Sequence, residues 1–259
     1  MAPLYWRLLA VLLLAVVRIS PAEDEDVYKP YEALRSTDNN FTDSGTYQVN
    51  VDKLVHHLRE RAANNEGYFH TSFGNQQDTV FGLVMCYADN SWEGCLFCLA
   101  HAAAWVGAGC PYSRNVNVNY NMCLLRYSEE SFFGDLDLTL TARSGVYSST
   151  NVTDVASMNA TRLNLIGRLS GEAASSSRRF AYDRQSYVDS HGVSQVMYAL
   201  TQCRPDLEYD ACKRCLNNVS EELQKASPSN TYGSLLGYSC YVRYDLRGPL
   251  EIIQPPPPG

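Results

Sequence analysis

What the sequence lacks narrows the possibilities before any motif is read. No apolar run reaches the ~20 residues that a membrane-spanning helix requires; the longest, Leu8 to Val17, is only half as long. The chain closes on Pro255-Pro-Pro-Pro-Gly259, which is not the hydrophobic tail of a lipid-anchor signal. Positive charge is scarce: 21 Lys and Arg against 28 Asp and Glu give a net charge of −7, so neither nucleic acid nor an anionic membrane is an expected partner. Histidine is scarce too, with five at positions 56, 57, 70, 101 and 191. With no Gly-x-Ser-x-Gly nucleophile elbow either, neither an enzyme nor a cofactor is expected.

What is present points outside the cell. Residues 1–22 combine a cationic start (Arg7), an apolar core and Ser20-Pro21-Ala22, the pattern of a cleaved secretory signal peptide. Removing it takes away Arg7 and Arg18, leaving a mature chain near −9. Asn40, Asn151, Asn159 and Asn218 each head an Asn-x-Ser/Thr sequon and are expected glycosylation sites, mostly on loops. Eighteen tyrosines suit strand-rich structure.

The nine cysteines carry the organisation. Cys86, Cys95, Cys98 and Cys123 recur as Cys203, Cys212, Cys215 and Cys240, every pair 117 residues apart, so the chain reads as two copies of one module. In a secreted chain these are first a disulfide framework. Bridging Cys86 to Cys95 would pin a strand's exit to a helix start, and Cys98 to Cys123 would pin that helix to the closing strand; the second copy gives Cys203 to Cys212 and Cys215 to Cys240. Zinc on Cys95, Cys98 and His101 is disfavoured because the second copy has Asn218 in the histidine's place, so no metal is expected. Cys110, whose counterpart is Ser227, is left unpaired.

Periodicity supplies the elements. Val51, Leu54, Val55 and Leu58 form a helical stripe, and Gly67–Gln77 reads as loop or edge strand. Thr79–Met85 has the length of a buried strand. Cys95, Cys98, Leu99, Ala102 and Val106 line one side of a second helix, which Asn90 and Glu93 cap; Cys212, Cys215, Leu216, Val219 and Leu223 repeat it. The alternation of Asn115–Asn121 marks a strand whose wet face carries Asn117. Leu165, Ile166 and Leu169 mark a further helix, followed by a loose Ser-rich stretch from Gly171 to Ser177. The resulting fold class is α+β, with each module two helices packed on an antiparallel sheet. The expected domains are 28–132 and 136–248, with a Pro-rich tail at 249–259. The short connector, Ser128–Asp135, is expected to pack the modules together through Phe132 and Phe133.

The pattern Cys-x8-Cys-x2-Cys followed by a Cys-x-x-Arg-Tyr strand end, in duplicate, resembles the ginkbilobin-homologous (stress-antifungal) domain, and two such domains behind a signal peptide resemble the plant cysteine-rich repeat secretory proteins. The resemblance implies a secreted, apoplastic, non-enzymatic defence protein that binds mannose or related fungal or cell-wall glycans and is antifungal. The alternative it implies is an interaction module for receptor-kinase ectodomains. It places the usual partner of Cys110 near Arg35. The family's mannose-binding positions fall on Ser36, Asn117 and Ser128 in module one and on Ser234 and Asp245 in module two. Asn117 and Asp245 are the carbohydrate-binding candidates.

Overall fold

The structure, a computed structural model, describes residues 30–36, 40–41, 45–144 and 152–253. The expected signal peptide, Asn151 and the four consecutive prolines of the tail lie outside the described residues.

Module one contains strands β1 (Glu32–Arg35), β2 (Tyr68–Phe73), β3 (Val80–Cys86), β4 (Val116–Asn119) and β5 (Cys123–Ser128), with helices α1 (Thr46–Ala62) and α2 (Trp92–Gly109). Module two repeats them as β6 (Leu140–Ser144), β7 (Phe180–Val188), β8 (Ser194–Cys203), β9 (Tyr232–Gly237) and β10 (Cys240–Asp245), with α3 (Val155–Ser175) and α4 (Tyr209–Ala226). Both sheets are antiparallel, in the orders β1-β4-β5-β3-β2 and β6-β9-β10-β8-β7. The second order is the first renumbered, which the common cysteine spacing requires.

The helical stripes read from the sequence are the buried faces. Val51, Leu54, Val55 and Leu58 of α1 are buried, and the buried residues of α2 and α4 are the two cysteine-bearing stripes themselves. The cap of α2 differs from expectation: Ser91 accepts from the Gly94 amide, because its hydroxyl stands one residue closer to the first turn than Asn90 does. The Ser-rich stretch also differs, since α3 continues to Ser175. Ala173 and Ala174 are buried there, and the Ser170 and Ser175 hydroxyls return to the carbonyls four residues earlier. His57, which falls off the apolar stripe, is not a bare surface residue but meets Phe69 and Phe73 edge-on.

Four disulfides join these elements. Cys86–Cys95 ties the end of β3 to the first turn of α2 and Cys98–Cys123 ties α2 to β5, with Cα separations of 5.6 and 6.0 Å. Cys203–Cys212 and Cys215–Cys240 repeat both links with the same separations. Since Cys86 and Cys123 are cross-strand neighbours, the two bridges of a module fix one helix to one point of its sheet.

The layer order follows from strand alternation. A side chain at Gly82 of β3 would run into Leu54 and Leu58 of α1, and Gly233 faces Leu223 of α4, so residues in phase with them point at the helices. The alternate residues, Leu83, Met85 and Leu124 in one sheet and Leu200, Leu236 and Tyr241 in the other, belong to one apolar cluster. The modules therefore meet sheet face to sheet face, with helices on both outsides.

Candidate functional site

The chain leaves β3 at Cys86 held by its disulfide and by a Tyr87 amide bond to the Met122 carbonyl. That turn carries Asp89 across the junction, where its carboxylate accepts from the Tyr241 hydroxyl and from Arg243 Nη1, both at 2.7 Å. Gln202, from β8, reaches back: its side-chain oxygen accepts from the Ala88 amide and its nitrogen donates to the Cys86 carbonyl, both at 2.9 Å. The modules are thus joined by buried polar bonds as well as apolar contact.

Beside this junction lies a cleft of ≈ 270 Å³ built from both modules. Tyr31, Asn90 and Asn121 line it from module one, and Tyr232, Ser234 and Arg247 from module two. Its charges balance. Arg243 bonds Asp89 and stands 3.6 Å from Asp245. Arg247 binds Asp245 through Nε and Nη2 at 2.9 and 2.7 Å and stacks over the Tyr232 ring, 3.5 Å from its centre. Burial works against the Arg243 charge, but Tyr241, Asp89 and Asp245 raise its pKa overall; burial and then Asp89 push the Tyr241 hydroxyl well above its ordinary value. Arg243 is a fixed cation and Tyr241 a fixed donor.

The repeat explains why the cleft is open. At the 117-residue offset Arg243, Asn121 and Asp89 correspond to Arg126, Tyr238 and Asp206, which surround the opposite end of the junction. There the connector fills the space. The Phe132 ring lies 4.2 Å from the Arg126 guanidinium and 5.6 Å from that of Arg204, Asp137 pairs with Arg126, and Asp206 accepts from the Gly134 amide. Phe133 packs beside it against Phe81 and His70. The connector bridges the modules through Phe132, while Phe133 meets His70 and Phe81 of module one, and the cleft is the end it does not reach.

The residues singled out from the sequence are scattered relative to this cleft. Asp245 lies against it, buried and held by Arg247. Asn117 does not line it. Rather than standing on a wet face, Asn117 is 8% exposed on the sheet face turned toward module two, and its Oδ1 has no partner among the described residues. Ser36 and Ser128 converge on Asn115, Ser36 accepting from its amide and Ser128 donating to its side-chain oxygen. Ser234 lines the cleft as the counterpart of Asn117. Asn40 is exposed outside the regular elements, whereas Asn159 and Asn218 are half-buried on α3 and α4 rather than on loops. Cys110 is unpaired and buried at the C-terminus of α2; burial raises its thiol pKa against the opposing Arg35. Arg35 donates to the adjoining Gly109 carbonyl at 2.6 Å, so a guanidinium stands where the resemblance places a cysteine.

Asp89, Arg247, Tyr232 and Tyr31 carried no motif. Arg243 did leave a signal, the Arg-Tyr pair shared by Arg126-Tyr127 and Arg243-Tyr244. Among the described residues no cluster of His, Cys, Asp or Glu could hold a metal ion, and no helix is long and apolar enough to cross a membrane.

These features define a class: two disulfide-stapled α+β modules fused through their sheets, with a polar cleft at the seam. The Salt stress response/antifungal family matches residues 34–130 and 145–247, and the chain belongs to it. It is 32% identical to an antimicrobial ginkbilobin-2-like protein of Castanea crenata, over 80% of this chain and 83% of that protein. It is equally identical to cysteine-rich receptor-like protein kinase 6 of Oryza sativa subsp. japonica, over 92% of this chain but only 35% of the kinase. Cysteine-rich repeat secretory protein 38 of Arabidopsis thaliana is 29% identical over 81% of each. The tandem DUF26 ectodomain of the Arabidopsis thaliana receptor-like protein PDLP8 shares the fold, with a TM-score of 0.68 at 21% identity, over 85% of this chain and all of that one.

Proposed function

We propose that this is a non-enzymatic, secreted, carbohydrate-binding protein of plant defence, and that the cleft between the modules is where the glycan sits. The observation that carries the reading is the cleft's charge balance. Two arginines and two aspartates are fixed against one another, so the site offers a dense set of donors and acceptors with no net charge. That suits a neutral, hydroxyl-rich ligand such as mannose better than an acidic sugar. Tyr31 and Tyr232 add aromatic edges to its rim. The name of the Castanea crenata relative, an antimicrobial protein, supports the defence reading. The larger groove on the other side of the junction, ≈ 410 Å³, suits a glycan less, since it is lined by Phe69, Phe180 and Ile253 and spanned by the Glu66–Arg178 pair.

The test is a glycan array and a mannan pull-down with the native protein and with Arg247→Ala and Tyr232→Ala. Retention of neutral glycans by the native chain, lost in both variants, is the expected result. Retention of no glycan would remove the carbohydrate reading, and retention of acidic glycans only would overturn its charge-balance argument.

One observation favours a second reading, an interaction module for a receptor ectodomain. The outward side of α2 carries Leu96, Phe97, Ala100, Ala104 and Ala108, and Phe97 is 54% exposed. The corresponding side of α4 is charged and amidic, with Lys213, Arg214, Asn217 and Glu221. Exposed apolar surface of that kind commonly marks a protein contact. Co-purification of a receptor ectodomain that is lost in Phe97→Asp would support this reading over the first.

A further inference from the structure

Helix α3 repeats α1 at an offset of 111 residues: Leu54, Val55, Leu58 and Ala62 correspond to Leu165, Ile166, Leu169 and Ala173, all buried. In this alignment Val51 corresponds to Arg162. Arg162 is 2% exposed, and its surroundings form a complete guanidinium receptor. The group lies 4.8 Å from the Tyr244 ring centre, donates from Nη1 to the Ser227 carbonyl and donates from Nη2 to Asn159 Oδ1, both at 2.7 Å. Burial lowers its pKa, and Tyr244 offsets only part of that fall.

Module one keeps the counterparts of these residues but has Val51 in place of the arginine. Tyr127 stands for Tyr244, Cys110 for Ser227 and Gln48 for Asn159, and all three line a groove of ≈ 400 Å³ between α1 and α2 with Val51 among them. Each counterpart has the matching group: a phenol ring, a side-chain amide and a helix-terminal carbonyl, which already accepts from the Ser113 amide at 3.3 Å and has its second lone pair for a guanidinium. Asp52, one residue on, adds a carboxylate to the wall. His56 and Arg59 continue that wall toward its other end, with His56 paired to Glu60. In module two the helices close over Arg162, and α3 packs against α4 more extensively than α1 does against α2.

We infer that the groove between α1 and α2 is a binding site for a guanidinium group, presented by an arginine side chain of a partner protein, which enters over Tyr127 and bonds the Cys110 carbonyl. The molecule's own second module supplies the template, and the chain's net charge of −7 favours a basic partner.

Titrating the full chain with methylguanidinium and with arginine amide, followed by NMR, tests this. Saturable shifts of the Tyr127 ring and Val51 methyl signals are expected. Asp52→Asn should weaken both by up to about fivefold. Val51→Arg should fill the groove from within, abolishing the response with no loss of Tm. Arg162→Val, if it folds, should create a second site and raise the stoichiometry from one to two. No saturable shift in the native chain would overturn the inference, as would an unchanged response in Val51→Arg. Equal shifts with neutral methylurea would show that the groove does not select a cation.

Discussion

At the residue scale, the seam between the modules rests on buried charges that are each answered. Asp206 is the most exposed to test. Burial alone would raise its pKa, but the bonds and charge of Arg204, with the Gly134 amide, outweigh it and hold the carboxyl below its usual value. A folded pKa below the unfolded one contributes stability that is fully present above the unfolded value near 3.9 and is lost as pH falls below it. The expected outcome is a Tm that declines on acidification below about pH 4, with a shallower decline in Asp206→Asn. That variant should be less stable at neutral pH by ~3–5 kcal/mol, because Arg204, fully buried, loses its partner. An identical acid limb in the variant would show that Asp206 is not the responsible group.

At the scale of elements, the cysteine links are the same length in both modules, 9 and 25 residues of separation. If they act mainly on the unfolded chain, replacing Cys98 and Cys123 with alanine should cost roughly 1 kcal/mol more than replacing Cys86 and Cys95, and each loss should be ~2–4 kcal/mol. Urea denaturation of the two double variants measures the difference; a larger loss for the shorter loop would mean that native packing, not loop closure, dominates. Elements of this kind were legible in the sequence because the signal is local and repeated: the stripes of α1, α2 and α4 are their buried faces, and the 117-residue register forces two like sheets. The edge strands β1, β2, β6 and β7 were faint, since Tyr68–Phe73 alternates only weakly and four-residue β1 is too short for periodicity to show. The cleft was legible only in fragments, through Ser234, Asp245 and the Arg-Tyr pair, and its assembly was not. Asp89 and Arg243 are 154 residues apart and meet only because one sheet lies on the other. Asn117 alternates like a wet-face residue, yet the second module covers that face.

At the scale of the molecule, the two copies have ceased to be independent. Leu200, Leu236, Tyr241 and Ile253 of the second half complete the apolar core of the first, and the Ile253 amide bonds the Ala88 carbonyl at 2.7 Å. Calorimetry of the intact chain should show one transition with calorimetric and van't Hoff enthalpies in agreement. Gln202→Leu strips the partners from two buried backbone groups and should lower stability by about 2–4 kcal/mol, or split the transition in two. Two separate transitions in the native protein would mean that the halves fold alone and the seam is incidental.

Fusion also means that the glycan recognition proposed here belongs to the seam and to neither module by itself. The most direct measurement is an NMR titration of the native chain with a neutral oligomannoside, following backbone amides. Perturbations are expected at Asn90 and Asn121 of one module together with Gly233 and Arg247 of the other. Perturbations confined to a single module, or centred on Asn117 and Ser128, would contradict recognition at the seam.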